Sequence, residues 1–466
     1  MKLRKKRNAP FTRLSNSNRP APVLQERNFN FSKLGLGGFF MSKYATIPPM
    51  KNTEKTHYDV MVIGGGPAGM MAAGRASERG KSVLLLEKNK TLGKKLDMTG
   101  GGRCNITNAE YDIHEFLKHY STAKNYLYSP FSRFGVKNTF EFFESHGLPL
   151  VIEARKRAFP NTQKATDVSR VMKQYIADNR VTIKMGAAVG RITALGGKIT
   201  SVSCGSAQYT ADNFIIATGG YSRPETGSTG DGFKWLKNLG HTVAPSSPNI
   251  VPLAVKDAWV KKLSGISLSF MKITFFQNGK KAFSKKGKLL FTHFGLSGPL
   301  ILNSAKQVSE LLEGGEVTAE IDMYPDTDFA DLERSILKTI DANKNKNLKN
   351  FLDALVPHGT DQAILMLWGL PDPNIKAHSI TKEDRKRLVH ILKGAPLTVK
   401  GLMGYDRAVV SDGGVSLDEV DTKTMRSRLY PNLYFAGDIL NINRPSGGYS
   451  LQLCWTTGFV AGDSVA

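Results

Sequence analysis

Gly64-Gly65-Gly66-Pro67-Ala68-Gly69 is the densest chemical pattern in the chain. It matches G-x-G-x-x-G, in which the first glycine permits a tight turn, the second admits a pyrophosphate to the backbone, and the third packs helix on strand. Pro67 and Ala68 open the helix whose N-terminal N–H groups would face the phosphates. Glu87, followed by Lys88, stands 23 residues after Gly64. A carboxylate there can accept both ribose hydroxyls of an adenosine. The acid disfavours a 2′-phosphate, so FAD or NAD fits better than NADP.

Three further groups share this polar, glycine-rich character. Leu433–Asp438 sets Gly437 and Asp438 at the carboxyl end of an apolar strand, where an aspartate can accept a ribityl hydroxyl of a flavin. Gly447-Gly448-Tyr449-Ser450-Leu451 opens the last helix, and its N–H groups could face a pyrophosphate or the pyrimidine edge of a flavin; an ordinary capped helix is the alternative. Ala217-Thr218-Gly219-Gly220 closes another buried strand. In Thr99-Gly100-Gly101-Gly102-Arg103-Cys104-Asn105, the glycines can lie against a flat ligand, while Arg103 and Asn105 offer groups for phosphate or flavin carbonyls. Cys104 is either a reactive thiol or a small buried residue in a tight loop. The pattern assigns no catalytic side chain; Arg103, Tyr449, His293 and Arg444 are candidates, each with a structural alternative.

The elements that must position these residues are legible too. Asp59–Ile63 is a short apolar run ending in glycines, Pro67–Arg79 has helical spacing, and Ser82–Glu87 is a second buried strand, together a βαβ unit. A helix is predicted over Ala165–Asp178 and a strand over Asn213–Ala217. Asn278-Gly279 marks a hairpin between Met271–Phe276 and Lys280–Phe283. A lysine-rich helical stretch runs from about Asp328 to Leu392, and short strands return after Gly401.

On Gly64–Gly69, Lys94-Lys95-Leu96, Thr99–Asn108, Ala217–Phe233, Phe291–Pro299 and Gly413–Gly462, the chain resembles the BaiN-like (YhiN-type) FAD-binding oxidoreductases, some of them labelled aminoacetone oxidase-like or bile-acid-intermediate reductases. The resemblance covers Tyr58–Gly462. It implies an α/β fold: a Rossmann-type FAD domain, 57–245 and 405–466, split by a 246–404 insert of a β-barrel followed by helices. It also implies non-covalent FAD. Two departures stand out. Family members often carry an acid where Met425–Arg428 stands and Asp-x-x-Gly at Asn441–Arg444; here Arg444 adds a cation that would select an anionic substrate.

Composition bounds the reading. No run of about 18 apolar residues is present, so no spanning helix is expected. Three well-separated cysteines, Cys104, Cys204 and Cys454, exclude a disulfide framework, a Cys-x-x-Cys redox pair and a thiolate zinc cluster, and point to a reducing, cytoplasmic home. Of the net charge of +24, residues 1–56 supply +10 from 12 basic and 2 acidic residues. They read as a disordered basic tail, an over-called start with Met41 or Met50 as the true one, or a transit peptide.

The leading expectation is an FAD-dependent oxidoreductase that moves hydride between its flavin and a small organic substrate or NAD(P)H. No second G-x-G-x-x-G follows a strand, so any nicotinamide would dock transiently. The alternative is a flavin-dependent RNA-modifying protein, motivated by the charge but unsupported by any RRM, KH or zinc-knuckle pattern. A non-catalytic flavin-binding regulator is a third reading.

Overall fold

The computed structural model describes residues 57–466 apart from Pro371 and Pro373, within one compact unit, Lys55–Ala466. The expectations for residues 1–56 lie outside the described residues.

The main sheet is built on five parallel strands: β1 (His57–Ile63), β2 (Val83–Glu87), β3 (Thr182–Met185), β4 (Ala207–Ile216) and β5 (Leu433–Phe435), in spatial order β3-β2-β1-β4-β5. Val83–Glu87 is buried at every position, as a strand covered on both faces must be. Chain order reverses between β1 and β4, the switch point where open α/β sheets form their ligand crevice. Register makes this concrete. Ile63 pairs with both Leu86 and Ile216, and Ile216 pairs with Phe435. Gly64, Glu87, Ala217 and Ala436 therefore leave four neighbouring strands side by side.

Helices cover the sheet. Helix α1 (Pro67–Glu78) begins at Gly66 with proline in its first turn, which costs no hydrogen bond there. Helix α2 (Ala165–Asp178) has the expected limits, and its Tyr175 ring fills the space a Gly74 side chain would need. Helix α3 (Tyr449–Ser464) is almost wholly buried. A Cβ on Gly458 or Gly462 would fall 2.4 or 2.3 Å from the carbonyl oxygens of Ala68 and Ala72 on α1.

The buried apolar residues form two large clusters. One draws on residues 58–236 and 415–465, the other on 253–399. The second fills and flanks a closed six-stranded barrel whose strands run from Leu253–Val255 to Ala395–Leu402. Its Asn278-Gly279 turn has both residues at positive φ, 49° and 76°, the geometry a two-residue hairpin demands. The helices Phe329–Ala342, Asp361–Trp368 and Lys382–Lys393 precede the last barrel strand rather than follow the barrel. Closure explains this: Ala395–Leu402 pairs with Val317–Asp322 on one side and Leu253–Val255 on the other. The two chain crossings between clusters pair with each other, Val243–Ala244 with Gly414–Val415 and Pro248–Asn249 with Val410–Ser411. On that ground we propose limits of 246–404 for the insert. No helix among the described residues is long and apolar enough to cross a membrane.

Candidate active site

A cleft enclosing about 1220 Å³, open solvent at its mouth included, runs along the carboxyl edge of the sheet. Its wall is assembled from the strand ends aligned above: Gly64, Gly66, Pro67 and Ala68 after β1; Glu87 and Lys88 at β2; Ala217, Thr218 and Gly219 after β4; Asp438 after β5. Lys95, Thr99, Ser450 and Leu451 join them.

The three consecutive glycines have three different reasons. Gly64 sits at φ +108°, and a Cβ there would lie 2.5 Å from the Ala217 carbonyl oxygen. Gly65 is hemmed in by Leu92 at 2.3 Å. Gly66 has ordinary extended backbone, φ −80°, and a Cβ would meet no protein atom within 4 Å. Only Gly66 opens onto space that a ligand could fill. Gly69 stays behind the wall as a packing residue, its missing Cβ replaced by the Gly64 carbonyl at 1.8 Å.

Glu87 is buried, and both its oxygens are already engaged. Oε2 accepts the Gly65 N–H at 2.8 Å, and Oε1 accepts the backbone and amide N–H of Asn89 at 2.7 and 2.8 Å. A carboxylate has about four lone-pair sites, so capacity for ribose hydroxyls remains. Lys88 donates to Asp231 at 2.7 Å and Thr229 at 2.6 Å, which compensates its charge. Lys95 is half-buried in the wall and donates to Ser222 Oγ at 3.2 Å. Burial holds its pKa below the usual lysine value, against the opposing pull of Asp438. The Thr218 hydroxyl is buried and without a hydrogen-bond partner. Such an orphan calls for a partner from a ligand.

Asp438 differs from the expectation of a free acceptor. It forms an ion pair with Arg444, whose side chain is 1% exposed and also donates to the Ile442 carbonyl at 2.7 Å and Ser450 Oγ at 3.1 Å. Arg444 is thus a buried structural cation and does not present its charge to a substrate. Asp438 still lines the cleft beside it.

Several expected residues do not line the cleft. Arg103 pairs with Glu153, donates to Gln163 at 2.7 Å and lies 4.1 Å over the Phe159 ring. Cys104 is fully buried at φ +60°, and burial pushes its thiol up to about 12, the environment of a structural cysteine rather than of a thiolate nucleophile. The run Gly100–Gly102 serves the fold of its own loop: all three residues have positive φ, and the N–H groups of Gly102 and Cys104 both return to the Thr99 carbonyl. Asn105, in the amide orientation that satisfies its neighbours, donates to the Ala158 and Thr107 carbonyls and accepts the Gly448 N–H at 3.0 Å. Gly448 is pressed against Thr107, where a Cβ would lie 2.3 Å from the backbone. The Tyr449 ring packs on Phe116 and His119 at 5.0 and 4.4 Å. Gly437 donates its N–H to Thr457. These residues seat α3 so that Ser450 and Leu451 reach the cleft.

The pattern reading missed Asn89, which orients Glu87, and Val409 and Val410, which enter the wall from the returning chain. Thr226, Gly227 and Ser228 also line it; they lie in the glycine- and serine-rich run after Gly219, a signal that was present but unassigned. Among the described residues no cluster of His, Cys, Asp or Glu could hold a metal ion. The open space over Gly66, the first turn of α1, a buried acid at β2 and an unsatisfied hydroxyl on Thr218 together fit FAD.

The 3-dehydro-bile acid delta(4,6)-reductase of Clostridium scindens is 29% identical over 409 residues, covering 87% of this chain and 98% of its own. The ribosomal RNA dihydrouridine synthase of Escherichia coli is 28% identical over 407 residues, covering 86% and 96%. The fold is shared with 3-ketosteroid delta1-dehydrogenase from Sterolibacterium denitrificans, at a TM-score of 0.50 and 13% identity over 88% of this chain and 99% of that one. Residues 58–464 match the family of the HI0933-like protein Rossmann domain, so the chain belongs to that family and is an FAD-dependent oxidoreductase.

Proposed function

We propose that the protein is a reductase of a carbon–carbon double bond conjugated to a carbonyl group. The observation that carries this reading is the reaction its relatives' names share. A 3-dehydro-delta(4,6) compound places double bonds beside a ketone, and a dihydrouridine synthase adds two hydrogens to a uracil ring. Bound FAD supplies the hydride chemistry. In this chain Gly66 and the start of α1 leave room for its pyrophosphate, Glu87 serves the adenosine ribose, and Thr218 and Asp438 offer polar groups further along the cleft. NAD(P)H, docking transiently, is the proposed electron donor. The three free cysteines support a cytoplasmic setting.

A second reading of the substrate, uridine in RNA, is favoured by charge. Residues 57–466 alone carry 52 basic and 38 acidic residues, and a cationic surface attracts polyphosphate backbones. The test is anaerobic reduction of the flavin by NADH or NADPH, followed by mixing with a conjugated enone or a uridine-containing RNA. Reoxidation with a gain of two hydrogens in the acceptor is expected. Reoxidation only by oxygen would overturn the reductase reading.

A further inference from the structure

A second pocket, about 740 Å³ with open solvent included, lies where the barrel meets the dinucleotide domain. The barrel side contributes Ser264, Thr292, His293, Phe294 and Ser297; Arg223 arrives from the loop after β4 and Arg407 from the chain leaving the barrel. Among the described residues no acid lines it. We propose that this pocket binds an oxyanion carried by the substrate, a carboxylate or a phosphodiester; as a substrate subsite it rests on the reductase reading above.

Three observations support it. The nearest acids to the two arginines are sequence neighbours outside the pocket, Glu225 at 3.8 Å from Arg223 and Asp406 at 3.4 Å from Arg407. The four side chains are between 32% and 63% exposed, so these pairs are weak and leave the planar guanidinium donors available. The arginines are also held in place. Arg223 adopts the left-handed conformation, φ 58°, ψ 61°, which a long side chain rarely takes. Its N–H donates to the Tyr405 carbonyl at 2.9 Å, and its own carbonyl accepts from Thr226 Oγ1 at 2.6 Å. Arg407 lies 5.8 Å over the Phe294 ring.

Finally, the pocket adjoins the cleft through the chain itself. Ser222, which takes the Lys95 ammonium, immediately precedes Arg223. Thr226 and Val409 line the cleft, three residues past Arg223 and two past Arg407. Three residues span at most about 11 Å, so the backbone that carries each arginine runs on directly into the cleft wall. His293, a catalytic candidate by sequence, is exposed in this pocket, and the turn beside it is closed by Thr292, whose hydroxyl donates to the Gly295 carbonyl at 3.0 Å.

The test uses the flavin-loaded full chain and phenylglyoxal, with modification mapped by mass spectrometry. Inorganic phosphate should slow modification of Arg223 and Arg407 relative to exposed Arg170, and chloride of equal ionic strength should not. In Arg407→Gln, the phosphate concentration that protects Arg223 should rise roughly ten-fold, the loss of one charge-assisted contact. No selective protection, or protection of Arg223 unchanged by Arg407→Gln, overturns the site. A uridine-containing oligonucleotide, a 3-keto steroid carboxylate and its methyl ester then identify the source. Protection by the oligonucleotide assigns a phosphodiester; protection by the carboxylate but not the ester assigns a carboxylate. Protection by phosphate alone overturns the claim that the anion belongs to the substrate. The readout needs no turnover, so it fails separately from the reductase assay.

Discussion

Gly66 and Asp438 show how one residue can be read two ways until its neighbours are known. At Gly66 neither backbone conformation nor a protein neighbour requires glycine, so any penalty for a side chain comes from the ligand. Gly66→Val should therefore abolish stoichiometric FAD, measured by absorbance after reconstitution, while the melting temperature of the apoprotein stays that of the parent. A drop in apoprotein stability would move Gly66 into the packing role of Gly64. Asp438→Ala removes the partner of a buried guanidinium, which costs about 3–5 kcal/mol. If Asp438 also accepts a ribityl hydroxyl, FAD affinity of the folded fraction falls roughly ten- to hundred-fold besides. Denaturant titration and flavin titration of the same variant separate the two effects. The glycine roles were legible because a turn fingerprint is local. The Asp438–Arg444 pair, six residues apart, was not, because burial of Arg444 depends on α3, whose Ser450 accepts from its Nε. Arg103 and Asn105 were misplaced for the same reason: their partners, Glu153, Gln163 and Ala158, come from a hairpin some 50 residues on, whose arrival the pattern does not announce.

Between elements, the contact of α1 with α3 ties the C-terminal segment to the phosphate end of the cleft. Gly458 approaches Ala68 in the first turn of α1, and Gly462 approaches Ala72 one turn deeper. Either glycine replaced by alanine should cost about 1–3 kcal/mol as the backbones are forced apart. Gly458→Ala should also weaken FAD binding, since Ala68 lines the cleft, whereas Gly462→Ala should change stability alone. Equal FAD affinities for the two variants would sink that distinction. A second element contact adds a pH dependence. The His241 ring has no exposed side-chain surface and meets Glu419 at 2.9 Å through Nδ1. Burial, only partly opposed by Glu419, holds its pKa below the usual histidine value. The unfolded chain then binds the proton more readily, so stability is retained above the unfolded pKa and lost as pH falls from about 6.5 toward the folded value. His241→Gln should flatten the melting temperature across that window; an unaltered slope would assign it elsewhere. Periodicity and turn chemistry sufficed for α2 and the Asn278-Gly279 hairpin. They could not order the last barrel strand, because closure is a property of the whole sheet.

Across the whole molecule, charge and architecture divide the chain differently. Among the described residues, those lining the cleft lie between Ile63 and Cys454, and both large apolar clusters lie between Tyr58 and Val465. Residues 1–54, outside the described residues, carry 11 basic and 2 acidic residues, a net +9, and Lys55–Ala466 forms a compact unit by itself. A chain beginning at Lys55 should therefore hold FAD stoichiometrically and melt at the temperature of the parent. A large loss of either would show that residues 1–54 support the folded unit. RNA affinity should respond otherwise. Binding to a single strand loses about 0.7 of a logarithmic unit per neutralised phosphate for each ten-fold rise in salt. Shortening the chain can then lower that slope by at most about 8, reached only if all eleven basic residues meet phosphate. The remaining +15 of residues 55–466 keeps a slope of its own if RNA is the substrate. Measuring affinity for a uridine-containing strand against salt, in both chains, yields the two slopes directly. A salt-dependent slope surviving in the shorter chain places the nucleic-acid contact on the folded flavoprotein. Binding lost entirely with residues 1–54 would confine RNA to that segment and leave the cleft to a small conjugated substrate.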